Sequence, residues 1–146
     1  MGTRVESQGS AGENTRLLAR AANAVDRRIS DALTTEHLSA DQWRVLDVLS
    51  KTDQCTMSEL ADAVGTSSAT LTRIIDRLVT RALVYRTPDD ADRRRVLVQL
   101  SQRGAQTVTD VRPEVERAEA CLLANLTALE RDQLTALLAR VTGGMR

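Results

Sequence analysis

Between Thr56 and Leu100 the hydrophobic pattern changes period, from the three-to-four spacing of helices to the alternation of strands, and that change constrains the fold more than any other feature. Thr56 and Glu59 form a capping box, in which the hydroxyl accepts from the third helical NH and the carboxylate reaches back to the cap. They open a short helix through Leu60, Ala61 and Val64 that stops at Gly65, a residue that tolerates left-handed backbone. Thr66 or Ser67 can cap the next helix, whose apolar stripe is Leu71, Ile74, Ile75 and Leu78. Leu83 to Thr87 then reads as a strand, Pro88 to Asp92 as a loop of turn formers, and Val96 to Leu100 as a second strand with Val96, Val98 and Leu100 on one face. Two helices joined by a tight turn and followed by a hairpin predict a winged helix-turn-helix.

The flanks are helical. Leu18, Ala22, Val25, Ile29 and Leu33 line one face from Arg16 to Leu33, and a capping box at Ser39/Gln42 opens a helix through Trp43, Val45, Leu46 and Leu49. Val108, Val111, Val115, Ala118, Leu122 and Leu126 form a long later stripe, in which Pro113 is expected to kink or restart the helix. A third capping box, Thr127/Glu130, precedes Leu134, Leu137, Leu138 and Val141. The small central motif cannot cover all of these stripes, so a second subunit is expected on Leu18, Val25, Ile29, Leu134, Leu137, Leu138 and Val141. The expected fold class is mainly α with a small β-hairpin wing, the winged helix-turn-helix being flanked by N- and C-terminal dimerisation helices. Its division is a flexible arm over residues 1–13 and one domain over 14–146, with the winged motif at about 38–101 and dimerisation helices at about 14–34 and 102–146.

Several function classes fall away. No apolar run approaches the roughly 18 to 20 residues that span a bilayer, and the polar start lacks a signal-peptide stretch, so a cytoplasmic location is expected. Cys55 and Cys121 lie far apart and His37 is the sole histidine, so neither a disulfide framework nor a metal site is suggested and no cofactor is expected. There is no Gly-rich phosphate loop and no nucleophile with a nearby base, which argues against an enzyme. Trp43 and Cys121 read as packing residues, and His37 as a structural residue at a helix junction, with a pH- or ligand-sensitive crevice as its alternative. Cys55, just before a helix cap, carries the alternative of a thiol-based redox sensor.

Net charge is zero, yet from Thr66 to Gly104 eight arginines face four aspartates, a local excess of four positive charges. Local potential is what a phosphate backbone feels, since screening acts beyond about 8 Å at physiological salt. On the helix after Gly65, Ser67, Ser68, Thr70, Thr72 and Arg73 lie opposite the apolar stripe with Arg77 on the flank, small groups that allow close approach to a groove. Asp92, Arg93, Arg94 and Arg95 follow at the hairpin tip, where clustered guanidinium groups are costly unless an anion is expected and suit a narrow minor groove. Duplex DNA is the expected partner. Single-stranded RNA is disfavoured, because its bases stack on aromatics and this chain offers only Trp43 and Tyr85.

These segments resemble the MarR regulators of multiple antibiotic resistance. The resemblance is carried by Asp92-Arg93-Arg94-Arg95-Val96-Leu97-Val98-Gln99-Leu100-Ser101 with Gly104, by Ser67-Ser68-Ala69-Thr70-Leu71-Thr72-Arg73 with Asp76-Arg77-Leu78, and by Leu38 to Leu46. It extends by helix order over about Arg16 to Val141, and it departs at Ala82, where the family usually has glycine. The resemblance implies that Arg94 enters the minor groove while Asp92 orients it by a salt bridge, and that the first and last helices interlock into a homodimer. It further implies a repressor on a pseudo-palindromic operator, its recognition helices about 10 base pairs apart, released by an anionic aromatic effector. A winged helix that binds another protein is the competing reading, since one fold serves both uses.

Overall fold

Leu33, Val45, Leu46, Leu60, Leu71, Ile75, Leu78 and Val98 are removed from solvent almost completely, and these residues come from every segment between the first helix and the wing. The computed structural model describes residues 11–143. Helix α1 (Ala11–Ala32) leads through a 3-10 turn (Thr34–Glu36) to α2 (Ala40–Leu49). A two-residue strand β1 (Cys55–Thr56) precedes α3 (Met57–Val64) and α4 (Ser68–Thr80). Strands β2 (Val84–Pro88) and β3 (Val96–Leu100) form the wing, and α5 (Gln102–Leu122) and α6 (Ala128–Gly143) end the described chain. This is the mainly helical winged fold expected from the sequence, with one unforeseen strand. β1 adds to the hairpin to give an antiparallel sheet of order β1-β3-β2, pairing Cys55 with Val98 and Thr56 with Leu97.

The capping chemistry is as the sequence predicts. Ser39 accepts from the Gln42 amide while Gln42 accepts from the Ser39 amide, and Thr56/Glu59 and Thr127/Glu130 repeat the exchange. The backbone NH of Thr56, followed by its hydroxyl, holds the Glu59 carboxyl below its ordinary range. Gly65 ends α3 at φ 73°, its NH reaching the carbonyls of Ala61 and Asp62. Ser67, not Thr66, caps α4.

α2 lies at the centre, packed by α1, α3, α4, α5 and β3. Arginines fasten its rim. Arg44 pairs with Asp26 of α1 and, at 2.8 Å, with Asp41. Arg112 of α5 binds Asp47 at 2.9 Å and the Ser50 hydroxyl at 2.9 Å, its guanidinium 5.5 Å from the centre of the Trp43 ring. Half-exposed pairs of this kind contribute roughly 0 to 1 kcal/mol each, so they orient helices that apolar burial already holds.

Three expectations are corrected. α1 begins at Ala11, so residues 11–13 are helical rather than part of an arm, and the rest of that arm lies outside the described residues. Ile29 is 3% exposed and Val25 packs against the same core, so these two serve the chain's own interior rather than a free outer stripe. α5 runs through Pro113 without a restart; burial of Val111 and Val115 on either side of it holds the helix against a proline cost of about 3 kcal/mol. On β3, burial does not follow the alternation alone: Leu97 and Val98 are both buried, and Val96 near the wing tip is exposed.

The wing root is built on a close backbone approach. Ala82 takes φ 54°, Ser101 donates its hydroxyl to the Ala82 carbonyl at 2.7 Å and its amide to the Leu83 carbonyl at 3.0 Å, and Gly104 returns its NH to the Ser101 hydroxyl at 2.8 Å. A Cβ on Gly104 would lie 2.0 Å from the Leu83 carbonyl oxygen, which explains glycine inside a helix. At Ala82 the methyl is the strained group, since left-handed backbone costs a non-glycine residue roughly 1 kcal/mol. Ala82→Gly is therefore expected to raise stability by about 0.5 to 1 kcal/mol in urea titration, despite the extra freedom glycine gains when unfolded. An unchanged or lowered midpoint would show that this strain is relieved elsewhere.

Candidate nucleic-acid interface

α4 turns Leu71, Ile74, Ile75 and Leu78 into the core and leaves Ser67, Ser68, Thr70, Thr72, Arg73 and Arg77 exposed, so the structure brings together the six helix residues picked out by sequence. Their hydroxyls are not equivalent. Ser67 accepts from the Thr70 amide at 3.2 Å and donates to the Thr70 hydroxyl at 3.0 Å, and Thr72 donates to the Ser68 carbonyl at 2.8 Å. Ser67 and Thr72 are thus engaged in shaping the helix. Arg73 and Arg77 have no hydrogen-bond or ion-pair partner among the described residues, so they keep their full donor sets for an anion.

The wing carries the second basic group. Asp89 donates its amide to the Arg95 carbonyl at 3.0 Å, closing the loop, and its carboxylate accepts from the Ala91 amide. Asp92 accepts from the Arg94 backbone NH at 3.0 Å, while its own carbonyl accepts from the Arg95 NH at 2.8 Å. The expected salt bridge between the Asp92 and Arg94 side chains is absent among the described residues: Asp92 shapes the turn through the backbone, as an Asx-turn does. Arg93, Arg94 and Arg95 are exposed, and Arg95 contributes to the field that lowers the Glu59 carboxyl.

Two contacts invisible in the sequence tie α4 to its surroundings, one to the wing and one to the turn after α1. Arg86 of β2 binds Asp76 of α4 at 2.7 Å, and the Arg81 fork at the end of α4 donates to the carbonyls of Glu36 and His37 at 2.7 and 2.9 Å. No periodicity or motif links positions this far apart. Beside Arg81 opens a cleft of about 520 Å³ lined by His37, Gln42, Asp76, Arg77, Thr80 and Arg81. The two cysteines do not line it, and Cys121 is exposed on α5 rather than packed as the sequence suggests, because nothing among the described residues covers that end of the helix stripe. Cys55 is half-buried in β1, and burial pushes its thiol above the ordinary range, with the Glu59 carboxylate adding to the rise. A thiol held protonated is a poor redox nucleophile, which weighs against the sensor alternative.

Helix, glycine turn, exposed second helix and arginine-tipped hairpin define a winged helix-turn-helix of the DNA-binding class. A MarR family profile matches residues 38–95. The chain is 33% identical to the multiple antibiotic resistance protein MarR of Escherichia coli over 80% of its own length and 81% of that protein's. It superposes on a mutant E. coli MarR complexed with operator DNA with a TM-score of 0.81 at 32% identity, covering 87% of this chain and 91% of the other. It also matches BpsR of Bordetella bronchiseptica, described as regulated in its DNA binding by 6-hydroxynicotinic acid, with a TM-score of 0.82 at 27% identity over 96% and 98% of the two chains. The transcriptional repressor NicR of Pseudomonas putida is 31% identical over 71% of this chain, which spans 66% of NicR's length. The chain belongs to the MarR family and is a DNA-binding transcriptional regulator.

The Asx geometry separates two roles for Asp92. An amide oxygen can accept the Arg94 NH, so Asp92→Asn is expected to keep DNA affinity within about threefold, whereas Asp92→Ala loosens the turn and weakens binding by about tenfold. Equal losses in both variants, measured by fluorescence anisotropy, would restore the salt-bridge role.

Proposed function

We propose that this regulator is a repressor that binds a pseudo-palindromic operator as a homodimer, with α4 in the major groove and the wing in the adjacent minor groove. The observation that carries the reading is the pairing of an exposed α4 face bearing Arg73 and Arg77 with an exposed wing tip bearing Arg93, Arg94 and Arg95, none of whose side chains has a hydrogen-bond or ion-pair partner among the described residues. Arg94 is the minor-groove residue, held by a turn that Asp92 closes. Ser68, Thr70 and Arg73 approach the bases, with Ser67 and Thr72 shaping the helix end and Arg77 and the remaining wing arginines toward phosphates. Arg94→Ala is expected to weaken operator binding by about 1 to 3 kcal/mol while leaving oligomeric state and melting intact. The measurement is anisotropy against the intergenic duplex beside this protein's gene and a scrambled duplex, at several salt concentrations. Equal affinity of parent and variant would sink the wing assignment, and absence of binding to either duplex at low salt would favour the protein-binding alternative.

The homodimer is supported by α6, which has no fully buried residue among those described and packs only lightly on its own chain. Leu129, Leu137 and Val141 are 67%, 55% and 52% exposed, Leu138 and Leu18 are exposed, and Leu134 is half-buried. Helices over 14–34 and 102–146 would exchange these surfaces, leaving the winged motif at about 38–101 to the DNA. The paired substitution Leu137→Glu with Val141→Glu is expected to yield a monomer in sedimentation velocity and to lower operator affinity; a dimer of parental stability would move the interface elsewhere.

Release by a small anionic aromatic effector fits the cleft beside α4, where His37 and Arg77 have side chains without hydrogen-bond partners among the described residues. BpsR, with its reported control by 6-hydroxynicotinic acid, supports that reading by likeness.

A further inference from the structure

We infer that Arg81 is a positioning residue for operator recognition, a clamp that fixes where α4 sits relative to the end of α1 and so sets the operator spacing the protein accepts. Arg81 caps the C-terminus of α4, its backbone NH reaching the carbonyls of Arg77 and Val79. Its side chain crosses to the opposite side of the cleft and donates in fork fashion to two successive carbonyls, Glu36 at 2.7 Å and His37 at 2.9 Å. Those carbonyls are the open end of the 3-10 turn, exposed because His37 takes the left-handed conformation at φ 52° and stops it. A guanidinium is planar and presents its two nitrogens in a fixed relation, so two bonds to adjacent carbonyls define an orientation and not merely a distance.

The placement gives the clamp its consequence. Leu33, at the junction of α1 and the 3-10 turn, is wholly buried, so the turn moves with α1. On the other side, Ala82 and Leu83 follow Arg81 directly into the wing root, where Ser101 and Gly104 hold them. Arg81 is thus the side-chain tie between the end of the recognition helix and the end of α1, distinct from the apolar core that packs the middle of α4. A loosened tie would leave α4 folded and charged but free to swing about its N-terminal half. The proposal rests on the homodimeric DNA-binding reading, because swing of α4 against α1 changes the distance between the two recognition helices of a dimer.

Arg81 also carries charge near DNA, so loss of affinity alone would not distinguish positioning from phosphate attraction. Spacing does. The test uses duplexes with two inverted copies of the half-site found beside this gene, at centre-to-centre separations of about 8 to 12 base pairs. The parent protein is expected to bind its best spacing at least about tenfold more tightly than spacings one base pair shorter or longer, the loss expected when one half-site falls out of register. Arg81→Lys keeps the charge without the fork, and is expected to reduce that preference to less than about threefold with an unchanged salt slope. Val98→Ala, which opens the core where β3 meets β1, outside the clamp and outside the proposed dimerisation helices, serves as a destabilised control and is expected to retain the parental preference. A parental spacing profile in Arg81→Lys overturns the clamp, as does equal broadening in Val98→Ala. A flat profile in the parent overturns the clamp together with the dimer reading, and sedimentation then reports whether the dimer itself exists.

Discussion

The burial of α2 on nearly every side is the constraint on which the rest of the molecule depends. Val45, Leu46 and Leu49 are removed from water almost completely and Trp43 nearly so, and the helix that carries them packs against α1, α3, α4, α5 and β3. A helix so enclosed serves as a common reference for the elements around it. α3 and α4 are set against it by apolar contact, while Arg44 and Arg112 tie it at the rim to α1 and α5. Apolar burial carries most of the free energy and the half-exposed pairs carry direction. The exposed side of α4 is fixed in position because the opposite side is held by the same hub.

Electrostatics at the candidate interface follow from what the folded chain leaves unpaired. Several arginines are consumed internally: Arg44, Arg81, Arg86 and Arg112 all have partners within the chain. The side chains of Arg73, Arg77, Arg93, Arg94 and Arg95 have no hydrogen-bond or ion-pair partner among the described residues, and all five are exposed on α4 and the wing. A net charge of zero therefore conceals a sorted distribution, with some guanidinium groups held as struts inside the chain and others left exposed on α4 and the wing.

Local features of the fold were legible in the sequence because local physics produces them. Three capping boxes, the Gly65 stop and the α4 stripe lie within a few residues of their own cause. The failures have a common origin in contacts distant along the chain. β1 exists only because β3 offers an edge to Cys55 and Thr56. Ile29 looked like part of an outer stripe because periodicity gives the face of a helix but not what covers it. Pro113 is expected to kink or restart α5, yet the helix does not restart there, because tertiary burial outweighs the local penalty. At the interface, residue identities on α4 and the wing were readable, but the Asx role of Asp92 required the backbone course of the turn.

The missing side chain at position 104 has a mechanical consequence. With no room for even a methyl group against the Leu83 carbonyl, the start of α5 sits in backbone contact with the root of the wing, and if the two move together they act as a bell crank with its pivot near Ser101. At 1.5 Å per residue, α5 is a lever arm of about 30 Å, and at roughly 3.3 Å per residue β2 is one of about 16 Å. A tilt that carries the far end of α5 through a given distance therefore moves the arginine tip through about half of it.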